Sequence, residues 1–157
     1  MMRHPRQLKW LSGVTLLVFW GSNVLGLILP WIVFVATAGN EPEVWGAFWR
    51  ELWGAQPGLL WAGLLNAVPF VVFAIFTLFH LGTAAPSGVA TARRRMIGVL
   101  IAALLMLTAS LWFNLAIWTS RSSTAAIGFV FLPIYLLLVF PIGYGLGRLL
   151  ARVWVRG

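Results

Sequence analysis

No Asp, Glu, Lys or Arg occurs between Lys9 and Glu41, between Glu51 and Arg93, between Arg95 and Arg121, or between Arg121 and Arg148. These stretches define four apolar runs, residues 9–38, 58–80, 96–118 and 124–147. Each is long enough for the ~20 residues that a helix needs to cross a ~30 Å hydrocarbon core. Hydrocarbon offers no partner to backbone N–H and C=O groups, so apolar runs of this length cross as helices, which satisfy those groups internally. The chain is therefore expected to be all-α: a polytopic four-transmembrane-helix bundle forming a single membrane domain over residues 1–157. Composition agrees, with 61% hydrophobic and 9% charged residues, against roughly 45–50% and about 25% in a soluble domain.

The flanks of the runs set their direction. Arg3, Arg6 and Lys9 precede the first, Arg93, Arg94 and Arg95 separate the second from the third, and Arg148, Arg152 and Arg156 follow or close the fourth. The other two connections carry only Arg50 and Arg121, so nine of the 11 basic residues lie on one side. By the positive-inside rule both termini and the 81–95 connection are cytoplasmic. Short loops with so strong a bias point to a bacterial inner membrane. The net charge of +8 is thereby explained by juxtamembrane clusters, and a nucleic-acid partner is not expected. Ala36-Thr37-Ala38 has the small-residue look of a signal-peptide cleavage site, but the run before it far exceeds the 7–15 residues of an h-region. It reads as an uncleaved first span, about 45 Å long if helical throughout, with Pro30 as a place to kink or end.

All three acidic residues, Glu41, Glu43 and Glu51, fall in the stretch EPEVWGAFWRELWG. On a helical wheel Val44, Trp45, Phe48, Trp49, Leu52 and Trp53 share one arc, and Glu43, Ala47, Arg50, Glu51 and Gly54 share the other. Asn40 can cap such a helix, and Pro42 suits its first turn. The expectation is a short amphipathic helix over about 43–54, between spans one and two, lying in the outer interface. Trp45, Phe48, Trp49 and Trp53 would anchor it, with indole N–H groups near water. The alternative is a lid or docking surface for an external partner. Trp31, Trp61 and Trp118 fit the outer aromatic belt, Trp10 and Trp154 the inner one.

Each span carries small residues at four-residue spacing: Ser22 and Gly26, Gly63 and Ala67, Gly98 and Ala102, Gly143 and Gly147. Such pairs let helix backbones approach closely in lipid. The third span extends this into a small-to-polar stripe, Gly98, Ala102, Met106, Ser110, Asn114 and Trp118, which should face protein. Asparagine in hydrocarbon needs a partner, and Asn23, Asn66, Ser110 and Asn114 all count into the outer half of the bilayer. They are the candidate polar layer, serving either interhelical hydrogen bonding or a ligand, ion or water, with Tyr135 able to join. In the fourth span Pro133 and Pro141 each remove a backbone donor and form a possible hinge. Arg93, Arg94 and Arg95 are the expected contacts for anionic headgroups on the cytoplasmic side, worth roughly 1 kcal/mol each.

Catalytic and cofactor chemistry is poorly supplied. No carboxylate lies within a span, which disfavours proton- or cation-coupled transport, and the chain has no cysteine. His80 is the only histidine near a span; it reads as an interfacial residue near headgroups or cytoplasmic water rather than a haem or metal ligand. No H-E-x-x-H or G-x-S-x-G motif is present. The chain resembles the tryptophan-rich sensory proteins in size, composition and the asparagine–aromatic run FNLAIW, yet has neither their W-x-P-P element nor a fifth span. The resemblance therefore assigns no residue a role. What remains is a non-enzymatic structural, anchoring or sensor subunit without cofactor or metal, packing as a homo-oligomer or within a larger membrane complex. The alternative is a homo-oligomeric channel or carrier for an uncharged or lipid-like solute.

Overall fold

The computed structural model describes residues 13, 21, 24–26, 28–37, 46, 49, 50, 53, 58–83, 89–120 and 125–154. Among these residues the chain is helical and contains no strand. A short apolar helix, α1, runs over Ile28–Thr37. Three long helices follow: α2 over Gly58–Gly82, α3 over Val89–Thr119 and α4 over Ala125–Trp154. These three are long and apolar enough to cross a membrane. Gly46, Trp49, Arg50 and Trp53 are also helical; the rest of the 43–54 segment, including Trp45 and Phe48, lies outside the described residues, as does most of the 9–27 stretch.

The helices run past the apolar runs that predict them, and they do so at one end. At 31 residues α3 spans about 46 Å and at 30 residues α4 about 45 Å, against ~30 Å of hydrocarbon. Charge marks where a helix leaves lipid, and nothing in Val89–Ala92 or Arg148–Trp154 breaks it. Consequently Arg93, Arg94 and Arg95 stand on the first turns of α3, and Arg148 and Arg152 on the last turns of α4. Successive helices are antiparallel, so both sets share an end of the bundle with the C-terminus of α2. Pro69 in α2 and Pro133 and Pro141 in α4 lie inside continuous helix. Membrane helices tolerate the lost backbone bond where neighbours shelter the freed carbonyl.

The α3–α4 interface is the most extensive, and its glycines explain why. A Cβ on Gly147 would lie 2.7 Å from Gly98 Cα and 3.1 Å from Ile97 O, and one on Gly143 would lie 3.0 Å from Ala102 Cα. Backbone packs on backbone there, as the small-residue spacing requires. Gly26 instead makes room for a side chain, the ring of Phe70. The core proper is Phe70, Phe73, Leu81, Val99, Ala102, Ala103, Met106, Leu132 and Leu136. Between α2 and α4 an edge-to-face ladder joins Phe73 to Phe140 at 5.3 Å, Phe140 to Phe76 at 4.8 Å, and Phe76 to Tyr144 at 5.2 Å. The outward surface is apolar along all three helices, with Leu78, Phe79, Leu104, Trp112, Leu138 and Val153 exposed.

Gly98, Ala102, Met106, Ser110 and Asn114 are all buried; the side chain of Trp118 lies outside the described residues. A four-residue step turns about 400° on a helix of 3.6 residues per turn, so the stripe advances by roughly 40° each time. Over the three steps from Gly98 to Ser110 it winds by about 120°. That rotation carries it from the α4 face, where Gly98 meets Gly147 and Tyr144, to the α2 face, where Ser110 meets Asn66. One stripe thereby packs α3 against two neighbours.

Candidate functional site

Two polar clusters join the three helices, one in the interior and one at an end of the bundle. The first lies in the half of the bundle away from the arginines. Asn66 of α2 and Ser110 and Asn114 of α3 are essentially inaccessible, at 1%, 0% and 0% exposure. Asn66 Nδ2 donates to Ser110 Oγ at 3.2 Å across the two helices. Asn114 Nδ2 donates one turn back to Ser110 O at 2.8 Å, with Ser110 Oγ at 3.4 Å. Both carbonyl oxygens, Asn66 Oδ1 and Asn114 Oδ1, are buried with no hydrogen-bond partner. Each is an acceptor withdrawn from water, at a cost of about 1–3 kcal/mol. The layer thus brings three of its four sequence-selected residues together; Asn23 lies outside the described residues. Tyr135 does not join them: it is exposed, and its ring packs on Phe113 at 5.1 Å.

The two asparagines differ in what they hold. Only Asn66 bonds across helices, whereas the Asn114 amide bonds within α3. Asn66→Leu is therefore expected to cost about 0.5–1 kcal/mol, near the average interhelical hydrogen bond in a membrane. Asn114→Leu is expected to be neutral or slightly stabilising, since it removes a buried orphan acceptor and breaks no bond between helices. Denaturation of the two variants in mixed micelles checks the difference; equal losses would contradict it.

The second cluster closes the arginine-bearing end, and the sequence offers its members only singly. The His80 ring stacks on Phe76 at 4.8 Å and meets the Tyr144 ring edge-on at 5.1 Å. Its Nε2 is hydrogen-bonded to the Tyr144 hydroxyl. That hydroxyl also accepts from Arg148 Nη1 at 3.3 Å, and the Arg148 guanidinium lies 5.9 Å from the tyrosine ring centre. Arg95 reaches across from α3: its Nη1 donates to His80 O at 3.1 Å and contacts Thr83 Oγ1 at 3.3 Å. Thr83 caps the same turn, its N–H donating to Phe79 O at 3.1 Å and its hydroxyl at 2.9 Å. Carbonyls left over at the end of α2 are thus met by a cation and a hydroxyl. Gly98 makes room: a Cβ there would sit 2.9 Å from Tyr144 Cε2 and 3.2 Å from Arg148 Cγ.

This splits the Arg93–Arg95 group. Arg93 is exposed, while Arg94 and Arg95 are half-buried, each with a buried Nε that has no partner. Tyr144 and Arg148 are the residues that sequence reasoning passed over, although their i, i+4 spacing beside Gly143 and Gly147 puts both on the face that α3 approaches. The remaining sequence-selected residues are dispersed. Trp49 and Trp53 are 53% and 68% exposed, Pro133 is half-buried, and Pro141 is exposed. Among the described residues no group of three or more His, Cys, Asp or Glu side chains comes together. No protein-family model matches the chain, and no curated protein or solved structure is detectably similar to it.

Proposed function

We propose that this chain is a small, non-enzymatic integral membrane subunit that packs with itself or with partner chains as a structural, anchoring or sensor component. The observation supporting it most directly is where polarity is spent. Asn66, Thr77, Ser110 and Asn114 are buried inside the bundle, while large apolar side chains stand on the surface from Trp61 to Phe79 on α2, from Leu100 to Leu115 on α3 and from Ile127 to Trp154 on α4. That surface suits lipid or another apolar helix and supplies no reactive group. In this reading the first crossing covers residues 9–38 and the 43–54 segment lies in the outer interface, giving four spans. The arginine-bearing end of the bundle and both termini face the cytoplasm of a bacterial cell. Anionic headgroups are the partners of that basic end.

A second reading, a channel or carrier for an uncharged or lipid-like solute, draws on one observation. Asn66 Oδ1 and Asn114 Oδ1 are two buried acceptors without donors in the same layer, the kind of group a passing hydroxyl or water would satisfy.

The decisive experiment is gentle extraction from the native membrane, with the mass of the complex measured and every co-purifying chain identified. The subunit reading expects either stoichiometric partner chains or a defined oligomer of this chain alone. Recovery as a lone monomer would overturn it. For a closed oligomer, Asn66→Leu with Asn114→Leu separates the readings: assembly intact with solute flux abolished favours transport, and no flux in the unaltered protein excludes it.

A further inference from the structure

We propose that the cluster built from Arg95 and Arg148 around His80 and Tyr144 is a binding site for a phosphate oxyanion, the headgroup of an anionic lipid or a free phosphate. The lipid source rests on the membrane placement of α2, α3 and α4 argued above.

The argument begins with charge. Arg95 and Arg148 come from different helices and converge on one residue of a third, Arg95 through the His80 carbonyl and Arg148 through the Tyr144 hydroxyl that bonds the His80 ring. Both arginines are half-buried. Part-buried cations are ordinarily paired, yet the only three carboxylates in the chain's side chains lie between residues 41 and 51. Among the described residues none faces this cluster. The partners that the two arginines do have, a carbonyl and two hydroxyls, are neutral. In the membrane placement argued above the three carboxylates lie at the opposite face, so the proposed source of the compensating negative charge is outside the chain.

Donor geometry narrows its identity. A guanidinium offers five N–H groups in a planar fork that matches phosphate oxygens. The bonds formed here engage Nη1 of each arginine, and Nε of Arg95 is withdrawn from solvent with no acceptor. An oxyanion is the acceptor that such a fork matches. The surround is aromatic, Phe76 stacked on His80 and edge-on to Tyr144, and Arg148 lies over the Tyr144 ring, so Arg148 is held by packing as well as by its hydrogen bond. Gly98, one turn beyond Arg95, keeps the space into which Tyr144 and Arg148 fold. Placed where the helices leave the apolar zone, the site sits at headgroup depth. It differs from a diffuse basic surface in a checkable way: Arg148 belongs to it and the exposed Arg93 does not.

The test uses the full chain in vesicles of phosphatidylcholine with added phosphatidylglycerol, re-extracted in neutral detergent, with retained lipid read by native mass spectrometry. A parallel arm in phosphatidylcholine alone replaces the anionic lipid by inorganic phosphate and reads bound phosphate. Arg148→Gln, which leaves the Arg95 cap on α2 in place, is expected to lower retention about tenfold, in line with one charge-assisted hydrogen-bonding partner lost. Arg95→Gln with Arg148→Gln is expected to abolish it, and Arg93→Gln to leave it within about twofold of the unaltered protein. Helical circular dichroism of Arg148→Gln confirms that the loss is not unfolding. Retention in the lipid arm alone identifies a headgroup; binding in the phosphate arm identifies a soluble phosphate. Absence of binding in both arms, or equal losses in Arg93→Gln and Arg148→Gln, would overturn the proposal. Recovery of the unaltered chain outside the vesicles, scored before any ligand is added, would instead sink the membrane reading beneath it.

Discussion

Gly147→Leu is expected to force α3 and α4 apart, with a loss of about 3 kcal/mol or more, whereas Gly145→Leu two residues earlier should cost less than about 0.5 kcal/mol. The two substitutions add the same side chain to the same helix and differ only in what it meets. At Gly147 the first new carbon would already lie 2.7 Å from Gly98 Cα and 3.1 Å from Ile97 O, and both of those are backbone. A flexible side chain could swing away; a helix backbone moves only as a whole. At Gly145 nothing stands within 4 Å of a new Cβ, and leucine there points to the apolar exterior while raising helix propensity. Displacing α4 would also disturb the Gly143–Ala102 contact and the seat of Tyr144 at Gly98. Unfolding by denaturant in mixed micelles, followed by circular dichroism, measures both variants. Comparable losses at Gly145 and Gly147 would mean that the close approach of the two helices is not what holds them together.

That contrast also marks where the sequence was readable. The spacing of Gly98, Ala102, Gly143 and Gly147 needs no knowledge of the fold, because small residues four apart make a flat strip on any helix, and flat strips in lipid attract each other. The polar layer was readable for a related reason: an asparagine has few acceptable surroundings in hydrocarbon, and depth along each run brings Asn66 level with Ser110 and Asn114. The length of α3 and α4 was less so. Basic residues mark the ends of the apolar runs, and the helices simply continue through them, since neither Val89–Ala92 nor the turns after Arg148 contain a helix breaker. The His80–Tyr144–Arg148 cluster was not readable at all as a unit. It depends on the register between α2 and α4, set by Phe73, Phe76 and Phe140 interlocking, and on Gly98 leaving room from a third helix. Each residue alone looks like an ordinary interfacial side chain. The role of Arg95 was hidden for the same reason: nothing local distinguishes it from Arg93, and only the antiparallel return of α3 brings it beneath the end of α2.

Phe70→Ala is expected to cost about 2 kcal/mol, and Phe79→Ala no more than about 0.5 kcal/mol, although both sit on α2 and remove the same atoms. Phe70 is 0% exposed, a core residue whose ring also lies against Gly26; Phe79 is 73% exposed on the outward face. In water-soluble proteins the buried substitution costs about 3–5 kcal/mol, part from transfer of the ring and part from the cavity it leaves. Hydrocarbon alters the first part, because a ring released from the bundle enters lipid tails that are as apolar as its former neighbours. The second part persists: atoms lining the void lose dispersion contacts that relaxation recovers only partly. The expected value is therefore the cavity share alone. This makes the magnitude itself informative about the solvent around α2. A loss near 4 kcal/mol on Phe70→Ala would indicate that the ring is exchanging with water, contrary to a membrane-spanning α2, and a loss near zero would mean that Phe70 is not part of a close-packed core.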